Sequence, residues 1–477
     1  MTWFDKFLKF FYFVLAPLMV FSWALEPFTN DVRIYLGAAK VTLLTPGFPM
    51  TLDSVWESRF VGHRFLYYCL EGLTPFDGLA AQVWLKLLAA IVMLAVLYYF
   101  SKRVSTKWSV PFDYVFIISF LGMFAVNNFM IFAAEAHSVI IGMLMVAMLL
   151  DDRPLINGLA GLLVLPLVIL KGLPVLLVPI AMLVVVMLCP DTYKNRLMAA
   201  ACSIPIVIAA WVAMALYFPH FITDIFLNTK MAHIGMLSYW DVGTYFVKYG
   251  FGVVGFAPVI VVGAVVTFLL LSVVRREHLR DVGLLLLMWV VSSVYVLIIQ
   301  EYFYYHYLLM LIPATLTILY FLKLYVHPQM AITILVVAIL IIYCGVVSSW
   351  SVGLAGKGYV NIQEREDTAD LILAEYPDLL DHPILYLDDG LAAYYFPTQS
   401  ACRYVGALPI QRNKPKWDMT GYDEYQDLMG CALNYTGKYV VVYDPWFNLS
   451  YHTALKSKLD TEYNITSEHY WNVYSRS

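Results

Sequence analysis

Between Leu155 and Cys189 the chain runs for 35 residues with a single charge, Lys171, followed at once by Gly172-Leu173-Pro174. As one helix this run would be roughly 52 Å long, against a bilayer hydrocarbon core of about 30 Å. It has to turn, and Gly172 and Pro174 supply the break. Such a run commits the chain to a polytopic helical membrane fold. Composition agrees: 61% of the residues are hydrophobic and 13% charged, a balance far from that of a soluble domain. The net charge of −4 comes with no basic patch suited to a phosphate backbone, which argues against nucleic acid as a partner.

Apolar periodicity gives eleven spans, at 7–25, 79–100, 112–126, 129–150, 155–170, 172–189, 197–217, 249–274, 282–300, 305–325 and 329–350. The first lacks a small-residue cleavage site and reads as a retained signal anchor. With this count Lys6, Lys9, Lys102, Arg103, Lys107, Arg153, Lys194, Arg196, Arg275, Arg276, Arg280 and Lys323 share one side, which positive-inside bias makes cytoplasmic. Merging 155–189 into one span would reverse every later loop and send Arg275, Arg276 and Arg280 outside. Loop charge therefore supports a break at Lys171.

The opposite, extracytoplasmic side receives the long first loop 26–78, Asn127-Asn128, Lys171, loop 218–248, the cluster Glu301–His306 and a tail from 351 to 477. Val55 to Leu73 is expected to form an interfacial helix bearing Arg59, His63 and Glu71. The tail reads as a small α/β domain. Ile384–Leu387 and Tyr439–Tyr443 are its strands, alternating with helical stretches near 365–376, 422–433 and 450–459. Two domains result: a membrane module over 1–350 that includes the 26–78 loop, and the soluble tail over 351–477. Cys402 and Cys431 share that tail and can pair if it faces an oxidising compartment. Asn434, Asn448 and Asn464 head glycosylation sequons on the same side.

Four constellations can carry chemistry. Asp31, just after the first span, is a candidate general base, since partial desolvation at the membrane boundary raises a carboxyl pKa. It equally suits a cap on a helix starting near Val32. Lys171 fits an anionic phosphate as a compact point charge, or a lysine snorkelling to the outer head groups. Glu135 and His137 lie inside the fourth span, where ionisable groups line cavities or pair between helices. Glu135 suits either Lys171 or a sugar hydroxyl. Glu301, Tyr305 and His306 sit at the outer junction of spans nine and ten; an aromatic belt explains the tyrosines, while His306 can donate to a phosphate or a hydroxyl. Arg59, His63 and Arg64 form a basic group that can flank a lipid phosphate. No histidines at i, i+4 and no suitable Asp-x-Asp pair occur, so neither a metal site nor a cofactor is expected.

The order Asn30-Asp31-Val-Arg-Ile-Tyr35-Leu-Gly, His137–Leu150, Gly158-Leu-Ala-Gly161, Lys171-Gly-Leu-Pro174 and Tyr305-His306-Tyr307 resembles the GT-C membrane glycosyltransferases. Within them it is similar to the polyprenol-phosphate-mannose-dependent mannosyltransferases and the arabinofuranosyltransferases. The resemblance covers roughly residues 1–350. It implies a GT-C-like polytopic α-helical protein of about eleven spans with an extracytoplasmic α/β tail. The implied activity is transfer of a hexose such as mannose from a polyprenyl- or dolichyl-phosphate donor to a hydroxyl of a glycan or glycolipid acceptor, with inversion. Asp31 takes the role of base. Lys171, His306, Arg59 and Arg64 fall to the donor phosphate; Glu135, His137, Tyr35, Glu301, Tyr305 and His63 fall to sugar or acceptor. Val32 stands where protein O-mannosyltransferases carry a second acid, which turns the expectation away from a protein acceptor. A glycoconjugate transporter or flippase is the rival reading, though no internal repeat supports it. A non-catalytic assembly subunit is another.

Overall fold

The computed structural model describes residues 3–25, 30–45, 61–76, 78–126, 134–171, 183–188, 193–217, 243–244, 257–273, 276–299, 308–325, 362–388, 390–403, 405, 423–443, 445, 447–467 and 470–476. Contacts divide the chain into two units. One comprises Met1–Glu26, Gly78–Ala213 and Met236–Leu354; the other Pro27–Asp77, Met214–Gly235 and Ala355–Ser477. Hydropathy grouped the 26–78 loop with the membrane helices, whereas contacts group Pro27–Asp77 with the tail.

The first unit is helical. Its opening segment runs Trp3–Phe10, a π-turn Phe11–Leu15, and Ala16–Leu25. Pro17 has no N–H for the Phe13 carbonyl, and the widened turn, in which the Ala16 N–H reaches Phe11 O, absorbs that loss. Gly78–Trp108, Phe112–Val126, Ala134–Leu149, Pro154–Leu162 and Val164–Lys171 follow. Pro166 explains the interruption at Leu163, because it cannot donate to the Leu162 carbonyl. Tyr193–Ala201, Ile204–Tyr217, Ala257–Val273, Leu279–Ile299 and Leu308–Tyr325 complete the described helices of this unit. Among the described residues, Ala80–Trp108 and Tyr193–Tyr217 are long and apolar enough to cross a membrane. Shorter apolar helices cover Ala136–Leu149, Pro154–Leu170, Ile260–Ser272 and Ile312–Phe321. The expected span 329–350 lies outside the described residues.

Small residues let these helices approach. A Cβ added at Gly161 would lie 2.2 Å from the Ala200 carbonyl oxygen, and one at Gly263 would lie 2.5 Å from the Ala314 Cα. Backbones in such contact associate through packing instead of through water exclusion. Trp289 Nε1 donates to Thr267 Oγ1 at 3.0 Å and to Thr317 Oγ1 at 3.3 Å, a polar knot joining three helices.

Charge gathers at one end of this unit. Asp151 is 1% exposed, and its carboxylate accepts from Arg103, from Arg153 Nε and Nη2 at 3.0 Å each, and from Tyr99 OH at 3.0 Å. The Arg153 hydrogen bonds above all, opposed in part by burial, hold its carboxyl well below the usual aspartate range. Asp152 pairs with Lys107 and, at 2.9 Å, with Arg196. Asn157 Nδ2 donates to Met148 O, Leu149 O and Asp151 O, and Arg196 Nη1 donates to Leu149 O at 3.2 Å. These donors satisfy carbonyls that the Ala134–Leu149 helix leaves open at its end. Arg280 donates to Met187 O at 3.0 Å and lies over Tyr193, while Lys323 lies over Trp108 and Tyr320. Residues assigned to one side by loop charge thus meet physically.

The second unit contains a four-stranded sheet of order β1-β2-β4-β3, with β1 Ile384–Leu387, β2 Tyr439–Val442, β3 Asn464–Ser467 and β4 Asn472–Ser475. β1 and β2 are parallel; β4 is antiparallel to both of its neighbours. Both parallel strands, β1 and β2, are buried at every position, as strands covered on two faces require. One face packs Leu385, Leu387, Val440 and Val442 on Leu428, Met429 and Ala432 of the Asp423–Asn434 helix and on Leu455 and Leu459 of the Thr453–Glu462 helix. A further helix covers 362–375. Cys402 and Cys431 form a disulfide. The expected strands and helices are all present. The β3–β4 hairpin was missed, because Asn464-Ile-Thr-Ser reads as a sequon and shows little alternation.

Asp151 is the buried member of its ion pairs, while Arg103 and Arg153 reach solvent, so replacing it forfeits charge-assisted hydrogen bonds worth roughly 1.5–3 kcal/mol. Asp151→Asn should therefore lower thermal stability of the detergent-solubilised chain by about that much; an unchanged melting profile would refute the clamp. A second expectation concerns acid. Hydrogen bonds from Lys438 and Tyr439 lower the Asp378 carboxyl from 3.8 to about 2. A depressed pKa stabilises the fold above the unfolded value and loses that contribution as pH falls through the folded one. The stability difference between wild type and Asp378→Asn should be constant above about pH 4 and close towards pH 2, as followed by near-ultraviolet circular dichroism.

Candidate functional site

Asp31 occupies the second position of a helix spanning Asn30–Leu44. It is therefore inside the first turn and not the cap before Val32 that its residue type also allowed. Its side chain lies outside the described atoms.

This helix is buried nearly all round: Val32, Arg33, Ile34, Tyr35, Leu36, Ala38, Ala39 and Val41 are all buried. It meets two partners in its own unit. The Val61–Gly72 helix supplies Tyr67, whose ring stands edge-on to Tyr35 at 4.9 Å, and Glu71, 3.9 Å from Lys40 Nζ. Of the helix expected from Val55 to Leu73, Val61–Gly72 is described, residues 55–60 lying outside the described residues, and it packs on protein through Tyr67. The second partner is the short Ala392–Tyr395 helix of the tail. Arg33 is 3% exposed and its Nη1 donates to Tyr395 OH at 3.2 Å. Lys40 Nζ lies 5.1 Å from the centre of the Tyr394 ring. Burial pushes the Tyr394 phenol up to about 12, so it faces Lys40 as a neutral ring. Ser400 N–H donates to Thr45 Oγ1 at 3.5 Å.

The remaining candidates are distributed as follows. His63 and Arg64 lie in the first turn of the Val61–Gly72 helix, with side chains outside the described atoms. Glu135 and His137 open the Ala134–Leu149 helix; His137 is half-buried, and the Glu135 side chain is not described. Lys171 closes the described Val164–Lys171 helix, with its side chain outside the described atoms. From Pro154 the helical path to Lys171 climbs about 26 Å, and Met187 is again at the end that holds Arg280. The expected break at Gly172-Leu173-Pro174 lies outside the described residues. Arg59, Glu301, Tyr305 and His306 lie outside the described residues. The structure thus brings Tyr35 together with Tyr67, and the other sequence candidates are not joined by any described contact. Gly158 and Gly161 acquire a packing role: the Ser203 hydroxyl bonds the Gly158 carbonyl, and Gly161 is pressed against Ala200.

Two residues escaped the sequence reading. Lys86 is 3% exposed and Gln82 is 7% exposed, one turn apart on the Gly78–Trp108 helix. They lie towards the helix end opposite Tyr99, Arg103 and Lys107. A charge inside an apolar span was the available signal, the same one that marked Lys171. Among the described residues, no group of three or more His, Cys, Asp or Glu side chains forms a candidate metal site.

The described residues thus comprise a unit of apolar helices and a second unit with a small mixed sheet. The chain matches the crystal structure of ArnT from Cupriavidus metallidurans in the apo state with a TM-score of 0.56 and 13% sequence identity, over 97% of this chain and 96% of that one. Likeness at this identity is a likeness of fold. No protein-family model and no curated protein sequence matches the chain.

Proposed function

We propose that the chain is a membrane glycosyltransferase that moves a sugar from a polyprenyl-phosphate carrier to a hydroxyl of a glycan or glycolipid. The observation that carries this reading is the correspondence with ArnT over nearly the full length of both chains. ArnT is a GT-C enzyme whose donor is an undecaprenyl-phosphate aminoarabinose. The motif resemblance named mannose, and the fold carries only the lipid-phosphate linkage, so the proposal is for that donor class.

In the proposed reaction Asp31 accepts the proton of the acceptor hydroxyl as its oxygen attacks the anomeric carbon. The glycosidic C–O bond breaks and polyprenyl phosphate leaves with the electron pair. A single displacement inverts the anomeric centre. The leaving phosphate gains a second negative charge, and a fixed cation nearby lowers the barrier. Lys171 takes that role on the sequence reading, and buried Lys86 is a second candidate from the same helical unit. His306, Arg59 and Arg64 remain proposed phosphate ligands; Glu135, His137, Tyr35, Glu301, Tyr305 and His63 remain proposed for sugar or acceptor. The Cys402–Cys431 disulfide supports an extracytoplasmic tail, since such bonds persist on the oxidising side of a membrane.

Asp31→Asn should lower the transfer rate by roughly 10²–10⁴-fold, the usual contribution of a general base, with donor binding intact. Retained transfer excludes Asp31 as base. Lys171→Met and Lys86→Met separate the two cations: the variant of the phosphate ligand weakens binding of a polyprenyl-phosphate sugar, and the other leaves it unchanged. Unchanged donor affinity in both would remove lysine from the phosphate site.

A further inference from the structure

We infer that the tail is a positioning element for the helix that carries Asp31, and that Arg33, Gly37 and Tyr395 are the residues through which it acts. This rests on the reading of Asp31 as base and adds a role for the 355–477 part of the chain.

Arg33, Gly37 and Lys40 stand at i, i+4 and i+7, so they form one stripe along the Asn30–Leu44 helix. Each touches the same short element of the tail. Arg33 bonds Tyr395 OH, and Lys40 lies over the Tyr394 ring. Gly37 is the seat between them. A Cβ built there would lie 2.5 Å from Tyr394 N and 2.8 Å from both Ala393 C and Tyr394 Cα. Those neighbours are backbone, which cannot swing aside as a flexible side chain would. Only glycine permits the approach, and any larger residue must shift one element against the other.

The tail holds its side of the contact firmly. Tyr395 packs on Trp471 at 5.2 Å, Phe396 packs on the same indole at 5.3 Å, and Trp471 is 1% exposed beside β4. Asp388, buried after β1, accepts from Gly390 N–H and Ala392 N–H and so fixes the start of the short helix. The path from sheet to seat is therefore short and rigid. Asp31 lies two residues before Arg33, within the same helical turn. Displacing the stripe moves the backbone that bears the base. Misplacing a reacting group by about 1 Å can cost on the order of 10²-fold in rate.

The test uses the full-length protein in membranes or detergent, with undecaprenyl- and dolichyl-phosphate sugars supplied singly. Gly37→Ala, Tyr395→Phe, Arg33→Gln and Arg33→Lys are compared with Asp31→Asn. Amide hydrogen exchange over 30–44 reports docking without reference to catalysis. The inference expects Gly37→Ala to speed exchange in 30–44 but not in the Gly78–Trp108 helix. It should also lower kcat by about 10-fold or more, with the KM for donor within about twofold. Tyr395→Phe and Arg33→Gln should show the same pattern more mildly, with Arg33→Lys recovering part of the rate; these carry the test if Gly37→Ala does not fold. Lost protection with kcat within twofold of wild type overturns the inference. So does unchanged protection in all variants, or a rise confined to the acceptor KM, which would make the tail an acceptor-binding domain. If Asp31→Asn retains its rate, the base reading falls by a separate measurement, while exchange still reports whether the tail holds the helix.

Discussion

Burial of the Asp151 carboxylate is the interaction on which the helical unit most depends. A charge with 1% exposure is tolerable only when its lone pairs are filled, and Arg103, Arg153 and Tyr99 fill them. These partners come from the Gly78–Trp108 helix and from the turn after Ala134–Leu149. Asp152 next to it extends the network to Arg196 on a third helix. Apolar helices in lipid have little to choose between one axial register and another, because a leucine is as content against a lipid tail as against its neighbour. A network with fixed donor and acceptor geometry has one register. The charge network, with the Asn157 and Arg196 bonds to helix-end carbonyls, therefore sets the level at which the helix ends align.

The same network shows why loop charge was informative. Short basic loops read as mere anchors, yet Arg103, Lys107, Arg153 and Arg196 turn out to hold carboxylates. Their common side could be read because each lies beside a run of spanning length. The reversal expected near Lys171 rests on an equally simple ground: helix rise and bilayer thickness are fixed lengths, and a run that exceeds one must fold back. Strands β1 and β2 were plain because both are unbroken runs of apolar residues. Strands β3 and β4 carry polar residues at both ends, and so short an apolar centre has no period to detect.

What the sequence concealed is mostly long-range. The Arg33–Tyr395 hydrogen bond joins residues 362 positions apart, and no local pattern announces such a pairing. Gly37 illustrates the point. Within its helix it looks like a mild destabiliser, and only the backbone of Ala393–Tyr394 gives it a reason. Arg33 is a charged residue whose 3% exposure no local pattern announces. Lys86 belongs to a different class of omission. Its signal is present in the sequence as a charge within an apolar span.

On the proposed reading of Asp31 as base, these long-range contacts bear on how that group would be held. A base on a free loop after the first span would sample many positions, and each would have to be reached again at every turnover. Here the segment that follows the first span is a helix buried on almost every side, braced by Tyr67 and Glu71 of its own loop and by Tyr394 and Tyr395 of a domain more than three hundred residues away. Bracing of this kind costs the helix its freedom during folding, once, instead of at each catalytic cycle. It also makes the tail's fold a condition for the first loop's geometry. The disulfide and the Asp388 turn then act at a distance from the chemistry, by keeping Tyr394 and Tyr395 where Gly37 can meet them.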